Sequence, residues 1–160
     1  MINKLLFTPS FKAVRFEELN YLGNFDDVNV ERNHSTYRQW PNKSDLEQLC
    51  SLGQPQLKAI KTKTDGGVNL AGIQLFFEGG IESTFLQTDW SNRNQSETKT
   101  VKLTGKKISK IIEQGDNNSA RKLQFVHENG TDTVYHKNVN SERSRVIPKG
   151  HVVVGVYGHF

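Results

Sequence analysis

Residues 121–136 read RKLQFVHENGTDTVYH, and the fold follows from this stretch. Asn129-Gly130 is the dipeptide that a two-residue hairpin loop favours, because both of its positions reach positive φ at little cost. It stands between Arg121–Glu128 and Thr131–His136, two runs carrying β-branched and aromatic residues. The combination predicts two antiparallel strands joined by a tight turn. Working outward, turn signals recur about every 8–12 residues from Leu57 onward. They bound expected strands at Leu57–Thr64, Leu70–Glu78, Ile81–Leu86, Thr98–Leu103, Lys107–Glu113 and Arg143–Ile147. Within Leu70–Glu78, Ile73, Leu75 and Phe77 share one face. Residues 146–160, VIPKGHVVVGVYGHF, add a strand at His151–Tyr157. Val152, Val153, Val154 and Val156 are poor helix material because branched Cβ atoms lose χ1 freedom there. The glycines of that run predict a bend or a close backbone approach. About nine strands with no intervening helical periodicity predict an all-β fold, an antiparallel sandwich, prism or barrel.

A chain of 160 residues accommodates one domain with an extension. Hydrophobic residues make up 34%, which fits a modest core beside a segment that does not fold on itself. The net charge of +4 is uneven: residues 1–56 hold six basic and seven acidic side chains, residues 57–160 fifteen and ten. The single cysteine, Cys50, excludes an intrachain disulfide and any cysteine-based zinc site. No run approaches the roughly 20 apolar residues that span a bilayer. Residues 1–16 contain no acid and carry Lys4, Lys12 and Arg15, but Pro9 interrupts the helix that a mitochondrial presequence needs. An intracellular location in the cytoplasm is therefore expected, with the mitochondrion as the weaker reading.

Residues 1–56 show no sustained periodicity and read as an extended arm; residues 57–160 read as the β domain. Phe7, Phe11, Phe16, Tyr21, Phe25, Tyr37 and Trp40 are scattered through the arm, either as anchors for a partner's grooves or as residues packing back on the domain. One short helix is expected, with Ser44 and Glu47 forming a capping box ahead of Leu46, Leu49 and Leu52, and Gly53 and Pro55 ending it.

Motifs for phosphate cradling, zinc hydrolysis or a nucleophile elbow are lacking in this sequence, so no catalytic residue and no cofactor is expected. His127 and His136 lie on the two strands of the predicted hairpin, but Glu128 and Asp132 sit on its turn and make poor third ligands, so no metal site is expected. Lys99, Lys102, Lys106, Lys107 and Lys110 form a basic set. Aromatics are not interleaved with it, which argues against nucleic acid. It suits an acidic protein surface, or guards sheet edges against aggregation.

Three landmarks resemble the jacalin-related lectins, whose fold is a β-prism. They are residues 71–80, AGIQLFFEGG; residues 121–130, RKLQFVHENG, with Thr133 to Tyr135 continuing the second strand; and residues 146–158, VIPKGHVVVGVYG. Together they cover about residues 57–160, and each alone is a generic strand-turn-strand pattern. The resemblance implies a β-prism. It also implies a sugar site in which Asp65, Gly66, Gly67 and Asn69 stand for the early glycine-rich loop. Nothing follows Phe160 to supply the family's late aspartate loop or its closing strand. An N-terminal segment or another chain is expected to complete the sheet.

The expected function is a non-catalytic structural or protein-interaction module within a larger assembly, of a cytoskeletal or ciliary kind. A carbohydrate-binding lectin is the alternative.

Overall fold

The computed structural model describes residues 37–42, 44–45, 48–49, 56–65, 69–87, 96–116, 119–137 and 143–159. They form ten strands in chain order: β1 (Tyr37–Trp40), β2 (Leu57–Asp65), β3 (Asn69–Phe77), β4 (Leu86–Gln87), β5 (Glu97–Lys102), β6 (Lys110–Asp116), β7 (Ser119–His127), β8 (Gly130–His136), β9 (Arg143–Val146) and β10 (Val156–His159). All ladders are antiparallel. Two sheets have four strands, ordered β4-β3-β2-β5 and β8-β7-β6-β9, and β1 pairs with β10 in a two-stranded ribbon. The chain is all-β, as the turn spacing predicts.

Period-2 alternation drives the sheets. Along β3, Ile73, Leu75 and Phe77 are buried; along β7, Leu123, Phe125 and His127 are buried while Gln124 and Val126 are partly exposed. Their side chains join one core with Ile60 of β2, Ile111 of β6, Val134 of β8 and Val156 of β10. Removing Phe77 and Phe125 from water stabilises the fold by about 1.5–3 kcal/mol each. The space between Leu57, Ile73, Leu75, Phe125, Val153 and Val156 is too narrow for a water molecule. The β7–β8 hairpin turns at Glu128-Asn129, one residue before the expected Asn129-Gly130 loop, and Gly130, at φ 134, is already the first residue of β8.

Two expected strands are shorter than the sequence suggests. Ile81–Leu86 yields one bridge, Phe76 to Glu82, and the two-residue β4. The Ser83 hydroxyl accepts the Leu75 amide at 2.8 Å and donates to the Thr84 carbonyl at 2.7 Å, so a side chain replaces the ladder there. The last strand begins only at Val156, although Val153 and Val154 are buried. Their burial reflects apolar packing rather than pairing. Gly155 explains the break. A Cβ there would lie 2.4 Å from Pro41 Cδ and 2.6 Å from the Trp40 carbonyl oxygen, so the two backbones meet where only glycine fits.

The ribbon reaches across the boundary expected at residue 56. β1 lies inside the expected arm, yet it pairs with β10 in the register Tyr37–His159, Arg38–Gly158, Gln39–Tyr157 and Trp40–Val156. An N-terminal segment thus takes the place beside the last strand. Trp40 is 3% exposed and stacks on Phe77, ring centroids 5.6 Å apart at 26°. Leu49 is equally buried in the core. Trp40 therefore packs in the core of its own domain. Tyr37 contributes backbone to the same strand, while Phe7, Phe11, Phe16, Tyr21 and Phe25 lie outside the described residues.

The expected partner of Ser44 in a capping box, Glu47, lies outside the described residues. Asn42 accepts the Asp45 amide at 2.9 Å and donates its own amide to the Asp45 carboxylate at 3.3 Å, two residues ahead of the expected Ser44–Glu47 pair. Ser44, Asp45, Gln48 and Leu49 have helical backbone; the remainder of the expected helix lies outside the described residues.

Candidate functional site

The densest polar constellation joins the β7–β8 hairpin to the loop that follows β5. His127 ends β7 with its side chain fully buried. Its Nδ1 accepts the Asn129 amide at 3.0 Å, so the ring hydrogen sits on Nε2, 2.8 Å from Asp132 Oδ2. Thr104 completes the group. Its amide donates to Asp132 Oδ2 at 2.7 Å and its hydroxyl to Oδ1 at 2.9 Å, while the hydroxyl also lies 3.0 Å from His127 Nε2. The Asn129 side-chain amide donates to the Thr104 carbonyl at 3.0 Å. Beside these, the Glu128 carboxylate accepts the consecutive amides of Lys106 and Lys107, each at 2.8 Å.

Chemically this is a clamp. A relay of the Ser-His-Asp kind needs the carboxylate on one ring nitrogen and the hydroxyl facing the other. Here both partners crowd Nε2, the backbone holds Nδ1, and the Thr104 proton goes to Asp132. What the cluster accomplishes is mechanical: it ties β5 of one four-stranded sheet to β7 and β8 of the other. It also accounts for β6 starting at Lys110 rather than Lys107, since the Lys106 and Lys107 amides are bound to Glu128 instead of a neighbouring strand.

His127 and His136 lie on the two strands of the hairpin, as expected. The register places His127 opposite Gly130 and His136 opposite Lys122, at opposite ends of the hairpin. Among the described residues, no group of three or more His, Cys, Asp or Glu side chains is arranged to hold a metal ion. Thr104 and Asp132 were legible only as turn residues. The one available signal was that Asn129-Gly130 brings His127 and Asp132 onto one hairpin end.

Asp65 and Asn69 pair at the end of the β2–β3 hairpin, and Gly66 and Gly67 lie outside the described residues. Of the basic set, Lys99 and Lys102 are exposed on β5, and Lys106 and Lys107 are exposed on the loop after it. The Lys106 ammonium is 3.6 Å from Glu78, an exposed pair that contributes little. Lys110 stands apart on β6, between Val126 and Val146 in the other sheet.

The two carboxylates make the clamp sensitive to acid. Hydrogen bonds from the Lys106 and Lys107 amides lower Glu128 from 4.5 to about 2. Burial pushes Asp132 up, but the Thr104 amide and hydroxyl and His127 outweigh it, leaving the group below its ordinary value of 3.8. Depressed carboxylate pKa values contribute stability that is fully present above the unfolded-state values and lost as pH falls through the folded-state ones. Unfolding midpoints are therefore expected to hold down to about pH 4.5 and to drop between there and about pH 2. Glu128→Gln should shrink that drop; a variant titrating identically to the parent would show that this carboxylate is not responsible.

No family model, curated protein or solved structure matches this chain. Among the described residues, no helix is long and apolar enough to cross a membrane.

Proposed function

We propose that the chain is a non-catalytic protein-interaction module, a jacalin-like prism whose third side is the β1–β10 ribbon, serving as a subunit of a larger assembly. The observation that carries the reading is the contrast between its polar groups. The cluster around the buried His127 directs its hydrogen bonds to its own members, whereas β5 turns Lys99 and Lys102 to solvent beside the exposed Lys106 and Lys107. A rigid body with a charged edge suits docking to an acidic protein surface. Segments preceding β1, with Phe7, Phe11, Phe16, Tyr21 and Phe25, supply further contacts.

The test uses the whole chain, because residues 57–160 alone lack Trp40 and Leu49. In extracts of its native cells, the protein is expected to co-fractionate with defined partners well above its own 18.2 kDa and to show no saturable binding on a glycan array. Deleting residues 1–36, which leaves β1 intact, should weaken that association. A monomeric elution profile combined with saturable sugar binding would overturn the proposal in favour of a lectin.

A further inference from the structure

We propose that the free edge of β5 binds an extended acidic segment of a partner protein by strand addition; this rests on the interaction-module reading and specifies its binding mode. Among the described residues, β5 is the last strand of its sheet and pairs on one side only, with β2. The ladder fixes which backbone groups are free. The Leu103 amide donates to the Lys58 carbonyl at 2.8 Å, and the hydroxyls of Thr62 and Thr64 donate to the carbonyls of Lys99 and Glu97. Residues 97, 99, 101 and 103 therefore face β2. In an antiparallel pair alternate residues turn both N–H and C=O to the same side, so Thr98, Thr100 and Lys102 aim theirs away from the sheet. Among the described residues, none of these groups meets a backbone partner. They form the row of paired donors and acceptors that an added strand requires.

Charge selects the occupant. Lys99 and Lys102 sit at odd and even positions and project from opposite faces of the strand. Acidic residues on either face of an incoming strand thus find an ammonium. Lys106 and Lys107 extend the positive charge past the C-terminal end, while Glu97 marks the other end, so the acids of the incoming segment belong toward Lys102. A nucleic acid strand has no backbone donors to match this row, and β5 carries no aromatic for bases to stack on. Edge lysines also deter self-association. That role is compatible with admitting a partner of opposite charge, because Lys99 and Lys102 repel only cationic or like edges.

The test titrates the full chain with three fluorescent synthetic peptides: alternating Glu and Val, alternating Lys and Val, and the Glu-Val peptide N-methylated at every second residue. Saturable binding is expected for the first alone, with amide exchange slowed at Thr98, Thr100 and Lys102. The double substitution Lys99→Glu and Lys102→Glu should weaken it about tenfold or more, since two exposed attractions become repulsions. Thr100→Pro removes one outward N–H without changing charge and should also weaken binding, with far-UV circular dichroism confirming that both variants fold. Equal affinity for the N-methylated peptide would reduce the effect to simple charge attraction and overturn the proposal. So would equal competition by single-stranded oligonucleotide, or no binding at all. If the double variant still joins its native complex while the peptide result fails, the interaction-module reading stands and only this edge is excluded.

Discussion

Trp40→Ala is expected to lower the unfolding free energy by about 3–5 kcal/mol, the range for truncating a large buried aromatic. Trp40 is 3% exposed, and its stacking on Phe77 adds about 0.5–1.5 kcal/mol beyond area alone. Domains of this size hold only about 5–15 kcal/mol in total, so the variant should unfold at a markedly lower temperature than the parent. The loss is also specific in place. Trp40 closes β1, and β1 is the strand that pairs with β10, so the ribbon should detach before the two four-stranded sheets do. Hydrogen exchange should show Val156 to His159 losing protection first. Val146→Ala, at a side chain 68% exposed, serves as the control and should shift stability by less than about 0.5 kcal/mol. A Trp40→Ala protein within about 1 kcal/mol of the parent would mean that β1 is not anchored through its indole.

Gly105→Ala is the second large effect, and it arises from a single methyl group. The added Cβ would lie 2.2 Å from Nδ1 and 2.3 Å from Cγ of His127. A free side chain would swing aside, but this imidazole is held by the Asn129 amide on one nitrogen and by Asp132 on the other. Expelling it costs about 1–3 kcal/mol for overpacking, and a further 1–3 kcal/mol for each buried polar group left without a partner. A double-mutant cycle isolates the cause. In a His127→Ala background the methyl group has space, so adding Gly105→Ala should cost little. If the two substitutions simply add, the steric account of Gly105 is wrong.

The sequence announces those parts of the fold in which partners are neighbours along the chain. Asn129-Gly130 places the β7–β8 hairpin, and the alternation of Ile73, Leu75 and Phe77 gives the buried face of β3, because turn chemistry and period-2 burial are local properties. β1 was not legible. Its four residues, YRQW, show no alternation, and they become a strand only because Val156–His159 lies beside them. The same holds for the clamp. Thr104, His127 and Asp132 have ordinary roles when read singly, and their connection crosses from one sheet to the other. The run Val152 to Val154 misled for a different reason: branched apolar residues announce burial, and burial here is achieved without a ladder.

The β1–β10 ribbon has a consequence for how the protein reaches its native state. Every other ladder joins strands close enough in sequence to form as the chain lengthens, whereas Trp40 has to wait for Val156. Bringing such distant segments together carries the largest loop-closure entropy in the molecule, and contacts of this kind slow folding. During synthesis on the ribosome, an indole destined for the core stays uncovered until nearly the whole domain has emerged. Transiently exposed apolar surface of this kind is what makes incomplete chains prone to aggregation.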